Sequence, residues 1–122
     1  MNPFQDQKQF MLAADQTVGP KLNIEQVTLY IDLIEEELGE MFATDTIEQA
    51  LKEAADVLVV TIGLMYSFGA DPQKVWDAVH ASNMTKLTDG KLLKREDGKV
   101  LKPDTYVPAD LSEIAGRIQY DG

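Results

Sequence analysis

The sequence predicts an all-α protein: a bundle of four to five helices followed by a short basic extension with hairpin character. Apolar residues recur at three- and four-residue intervals in successive segments, which is helical spacing. Most of these segments open on a capping residue or on proline in the first turn. Gly19-Pro20 and Gly69-Ala70-Asp71-Pro72 supply breaks between them.

Asn2-Pro3 starts a first helix, expected to run to about Val18, where Gly19-Pro20 would stop it. Asn23 with Gln26 resembles a capping box and opens a second helix. Its stripe of Val27, Ile31, Ile34, Leu38 and Met41 is helical. Asp45 with Glu48 reads as another box, opening a third helix through Ile47, Ala50, Leu51, Ala54 and Ala55. From Val57 to Tyr66 that helix becomes apolar on every side, as in a bundle interior or an oligomer interface. Asp71-Pro72 begins a fourth helix, on which Val75, Trp76 and Val79 share an expected packing face. Residues 92–102 then read as a hairpin turning at Asp97-Gly98, and Asp110 with Glu113 as the cap of a last short helix.

A chain of 122 residues suits one domain, 1–122, with a helical core over about 3–87 and a basic tail over about 88–122. Cysteine is absent and His80 is the single histidine, which excludes disulfides, thiolate metal sites and a multi-histidine metal site within one chain. The N-terminal residues lack a signal-peptide pattern, and the ten-residue apolar run is too short to cross a bilayer. A cytoplasmic protein without a membrane partner is the expectation. The net charge of −10 disfavours a nucleic-acid partner. The charge is segregated: residues 25–56 hold ten acids and one base, Lys52, whereas residues 86–102 hold six bases and three acids. An acidic centre with a basic tail suits a ligand carrying both metal cations and phosphates.

Within the acidic centre, Glu37 and Glu40 lie one turn apart on the second helix, and Glu37 falls on the margin of the apolar stripe. Glu53 and Asp56 repeat the i, i+3 spacing on the third helix. Antiparallel packing would bring all four carboxylates into a partly dry groove, where like charges repel and divalent cations are the natural compensation. All-oxygen ligands favour Mg²⁺ or Mn²⁺. The missing Glu-x-x-His pairs argue against a di-iron bundle. A solvated helix face is the competing reading: it is preferred for Glu35 and stays open for Glu36 and the other four.

Glu36-Glu37-Leu38-Gly39-Glu40 followed by Glu53-Ala54-Ala55-Asp56 resembles the EExxE…ExxD signature of the all-α nucleoside triphosphate pyrophosphohydrolases. That superfamily includes MazG, dimeric dUTPases, dCTP pyrophosphatases and phosphoribosyl-ATP pyrophosphohydrolase. Asn83-Met84-Thr85-Lys86 is similar to its downstream N-x-x-K element. Residues 77–86, 89–91 and 94–103 resemble short, often phage-encoded MazG-like proteins, and the resemblance spans roughly residues 9–111.

The resemblance implies that Glu37, Glu40, Glu53 and Asp56 hold the catalytic Mg²⁺ (or Mn²⁺), two or more ions per active site. Glu36 and Glu37 stand as catalytic residues, Glu36 binding an additional metal or orienting the attacking water. Asn83 and Lys86 would contact sugar or phosphates. Lys86 and one or more of Lys91, Lys94 and Lys102 could bind the β and γ phosphates, while Lys99 at the turn reads as a solubility residue. His80 reads either as a core or interface histidine or as a contact to base or ribose, and Trp76 as core rather than a stacking platform. The implied reaction is hydrolysis of a nucleoside triphosphate between its α and β phosphates, giving a nucleoside monophosphate and pyrophosphate. A purine triphosphate, dGTP or GTP first, is the expected substrate, in nucleotide-pool control. Self-association as a dimer or tetramer, with a site completed by a neighbouring chain, is also implied. The alternatives are a phosphoribosyl-ATP pyrophosphohydrolase of histidine biosynthesis and a non-enzymatic acidic adaptor or DNA mimic.

Overall fold

The computed structural model describes residues 2–120. Helices α1 (Pro3–Ala13), α2 (Ile24–Phe42), α3 (Ile47–Phe68) and α4 (Pro72–Met84) are followed by strands β1 (Leu87–Thr88) and β2 (Lys91–Leu92) and a short helix α5 (Ser112–Gly116). The expected all-α class is what the structure shows. No single described helix is long and apolar enough to cross a membrane.

Helices α2 and α3 form the backbone of the molecule. Gln26 meets Ser67 near one end, Tyr30 lies against Gly63, and Glu37 approaches Glu53 further along, so the two helices run antiparallel. Met11, Tyr30, Val60, Ile62 and Tyr66 form the buried cluster, with Phe4, Val18, Leu33, Ile34 and Leu64 packed around it. The core therefore joins the first half of α2 to the second half of α3 beneath α1. Gly63 is needed at the crossing: a β-carbon there would lie 2.2 Å from Cε1 of Tyr30. Gly63→Ala is expected to cost about 2–3 kcal/mol by overpacking, read as a lower midpoint of urea denaturation. An unchanged midpoint would mean that the ring moves aside freely.

Three helix starts differ in detail from expectation. Asn23 caps α2 through the Gln26 amide N–H, but the Gln26 side chain does not reach back to close a box. It accepts from Thr17 N (2.8 Å) and donates to Thr17 O (2.7 Å) and to Ser67 Oγ (2.8 Å), so a buried amide is fully bonded. At α3 the box is shifted by one residue: Thr46 accepts from Gln49 N, and Gln49 Oε1 accepts from Asp45 N. At α5, Asp110 Oδ1 accepts from Ser112 N, and Glu113 pairs instead with Arg117.

Helix α1 ends at Ala13, not near Val18, because Asp15 takes a left-handed conformation with φ 58°. The released residues serve α2: Gln16 Oε1 accepts from the Tyr30 hydroxyl at 2.6 Å, and Thr17 holds Gln26. At the other turn, Gly69 caps α3 with φ 95°, and α4 leaves at a bend of 110°. Because α4 turns away from the core, Trp76 is 55% exposed and touches the Phe4 ring at 6.3 Å. The expected packing face of Val75, Trp76 and Val79 is thus not a core face.

Beyond α4 the chain makes two tight turns. Asp89-Gly90, both at positive φ, joins β1 to β2, a hairpin not anticipated as such. The expected turn at Asp97-Gly98 follows, with Lys94 bridged to Val100 and Leu101 N bonded to Leu93 O. The tail then returns along the molecule, and Gln119 exchanges backbone bonds with Pro20 and Leu22 between α1 and α2.

Candidate active site

The antiparallel α2–α3 pair projects beyond the core, and its outer half carries the acids. One ligating oxygen from each of Glu37, Glu40 and Glu53 lies within 4.8 Å of the other two. Glu40 is exposed, Glu37 half-buried, and the Glu53 side chain only 13% exposed. The Oε2 atoms of Glu37 and Glu53 are both buried, and neither has a hydrogen-bond partner. Such atoms are rare in folded proteins, because an unpaired buried acceptor loses its water without replacement.

Asp56, one turn beyond Glu53, is engaged differently. Lys52 Nζ lies 2.6 Å from Asp56 Oδ2 and 3.4 Å from Glu53 Oε1. The lone base of the acidic centre therefore sits on the rim and neutralises one side of it. Both carboxylates hold the Lys52 ammonium well above its ordinary range. Its i, i+4 spacing from Asp56 is a signal for this pair already present in the sequence.

Glu37 carries the largest acid perturbation of the site. Burial first, then the neighbouring Glu53, Glu40 and Asp56, push its carboxyl up to about 7 from an ordinary 4.5. Glu37 and Glu53 can hydrogen-bond to each other only while one of them keeps a proton. Near neutral pH the group stands between two charge states. A third solution, a bound cation, would satisfy both orphaned oxygens. The donor set fits a hard dication: carboxylate oxygens from two rigid helices, with no sulfur or imidazole among them.

The remaining candidates lie elsewhere. Glu36 is exposed and outside this carboxylate group. Asn83 lies in the last turn of α4, and its Oδ1 accepts from Lys86 Nζ at 3.1 Å. His80, on the same helix, is exposed, which removes the core reading of that residue. Lys91 and Lys94 belong to the two turns of the tail and are exposed. Among the described residues, no hydrogen bond or ion pair found in the structure joins Asn83, Lys86, Lys91, Lys94 or His80 to the acid group. No motif in the sequence marks Tyr106, over whose ring Lys86 and Lys102 both lie.

Residues 8–83, more than half of the chain, match the family model described as phosphoribosyl-ATP pyrophosphohydrolase. The matched span contains α2, α3 and all four paired carboxylates and closes at Asn83, leaving the basic tail outside. No curated protein matches the chain. With the EExxE…ExxD motif set on an antiparallel helix pair inside the matched span, the chain belongs to the phosphoribosyl-ATP pyrophosphohydrolase family of the MazG-like all-α NTP pyrophosphohydrolases, and is a pyrophosphohydrolase.

Proposed function

We propose that this enzyme hydrolyses a purine nucleoside triphosphate, dGTP or GTP foremost, between the α and β phosphates, as part of nucleotide-pool control. The observation that supports metal-assisted hydrolysis is the pair of orphaned buried oxygens on Glu37 and Glu53, inside the family motif. Glu37, Glu40, Glu53 and Asp56 would hold Mg²⁺ or Mn²⁺, two or more ions in all, with Lys52 yielding Asp56 to them. Bound dications would supply charge neutralisation at the phosphates and lower the pKa of water. Glu36, exposed and next to Glu37 in the sequence, would orient the attacking water. Asn83, Lys86 and one or more tail lysines, Lys91, Lys94 or Lys102, would hold the phosphates, and His80 would contact base or ribose. Such chemistry rests on positioning and electrostatics and needs no nucleophilic side chain.

The chain would act as one domain over 1–122 and as a dimer or tetramer in the cytoplasm, without nucleic-acid or membrane partners. Two features support self-association. At the outer end of the helix pair Phe42 and Ile47 are each 81% exposed and Leu51 66% exposed. Between α1 and α3 lies an open groove of about 440 Å³, lined by Phe10, Leu58, Val59 and Ile62 among others. By the family resemblance, a neighbouring copy would complete the site.

A phosphoribosyl-ATP pyrophosphohydrolase is the second reading, favoured by the description of the matching family. Incubation with Mn²⁺ or Mg²⁺ and a panel of NTPs, dNTPs and phosphoribosyl-ATP, with product identification, separates the two. Pyrophosphate and monophosphate from a purine triphosphate is the expected result. Turnover confined to phosphoribosyl-ATP would select the second reading, and orthophosphate alone would mean that another bond is cut. No turnover would favour a non-enzymatic adaptor.

A further inference from the structure

We infer that Tyr106 and Lys102 complete a subsite for the terminal phosphates of a nucleoside triphosphate, the Tyr106 ring setting Lys102 beside Lys86. The inference rests on the triphosphate reading above and adds to it a platform residue and a choice among the tail lysines. Lys86 Nζ lies 5.6 Å from the Tyr106 ring centroid and Lys102 Nζ lies 5.1 Å from it. Two ammonium groups separated by fifteen intervening residues thus converge on one aromatic ring. Like charges held together need compensation, and the ring quadrupole supplies part of it.

The platform is itself fixed. Val107 N donates to Thr85 Oγ1 at 2.8 Å, Ser82 Oγ donates to Val107 O at 2.7 Å, and Tyr106 N donates to Pro103 O at 3.0 Å. The first two bonds tie the tail to the C-terminal end of α4, where Asn83 accepts from Lys86, and the third closes a turn within the tail. Three other cations are held by acids. Lys52 lies on Asp56, Arg95 on Asp97 and Arg117 on Glu113. Lys86 and Lys102 form no salt bridge among the described residues: their observed partners are a neutral amide and a neutral ring. In a chain of charge −10, two such lysines on one ring favour a concentrated anion, and the end of a polyphosphate chain has that chemistry. Lys91 and Lys94 make no contact with this ring among the contacts found.

The test uses the full-length protein and inorganic tripolyphosphate as probe, titrated calorimetrically in metal-free buffer. Wild type is expected to bind it. Tyr106→Leu and Lys102→Gln should each weaken binding about fivefold, while Tyr106→Phe, which keeps the ring, should stay within about twofold of wild type. In turnover with a nucleoside triphosphate, Tyr106→Leu should raise KM by a similar factor and leave kcat within about twofold. No tripolyphosphate binding by wild type, or wild-type affinity in both Tyr106→Leu and Lys102→Gln, would overturn the subsite even if hydrolysis is confirmed. Ring-dependent binding of tripolyphosphate by a protein that hydrolyses no triphosphate would uphold the anion site and remove the reading on which its physiological role rests.

Discussion

Replacing Glu37 by glutamine is expected to lower triphosphate hydrolysis at least ~10³-fold while leaving the helical circular dichroism unchanged. The same substitution should raise the melting temperature of the metal-free protein at pH 8. Both effects come from one cause. Glu37 contributes a carboxylate where burial and three other acids oppose a negative charge, so neutralising it relieves the fold and removes a ligand. A gain of ~1 kcal/mol would correspond to a rise of roughly 4 °C in a domain of this size. Asp56→Asn is expected to abolish turnover as well, but without the same gain, because Asp56 already has Lys52 at 2.6 Å. Near-normal turnover in either variant would contradict the proposed ligand roles.

The second large effect is on pH. The Glu37 carboxyl is raised in the folded protein from 4.5 to about 7, so the folded state binds more protons than the unfolded state between those values. Its contribution to stability is fully present below about 4.5 and is lost as pH rises through about 7. The metal-free wild type should therefore lose stability relative to Glu37→Gln across that window, followed by thermal melting of both proteins. Metal binding runs the other way, because the ligand must be deprotonated. Mn²⁺ affinity should rise about tenfold per pH unit below about 7 and level off above it. A pH-independent affinity between 5.5 and 7 would mean that Glu37 is not displaced from its proton by the ion.

The acid group was legible because it obeys local rules. Spacings of three on α2 and α3 put the carboxylates on faces that antiparallel packing brings together, and the structure places Glu37, Glu40 and Glu53 within 4.8 Å of one another. Helix starts were nearly as readable, since Asn2, Asn23 and Asp71 all cap as expected. What escaped were features decided by distant partners. The end of α1 depends on Tyr30 and Gln26, residues of the next helix that recruit Gln16 and Thr17. The position of Trp76 depends on the 110° bend before α4, which no pattern within α4 encodes. Tyr106 lies twenty residues beyond Lys86 along the chain, and only the path of the tail discloses that the two meet. Substrate identity depends on the base pocket, about which spacing along a helix says nothing.

Isothermal calorimetry of Mn²⁺ into the metal-free protein at pH 8, with Glu53→Gln as the control, probes the two-helix carboxylate cage most directly. Saturable uptake by wild type, weakened at least tenfold in Glu53→Gln, is the predicted result. Equal uptake by the two proteins, or none by wild type, would leave the buried oxygens of Glu37 and Glu53 without the cation that explains them.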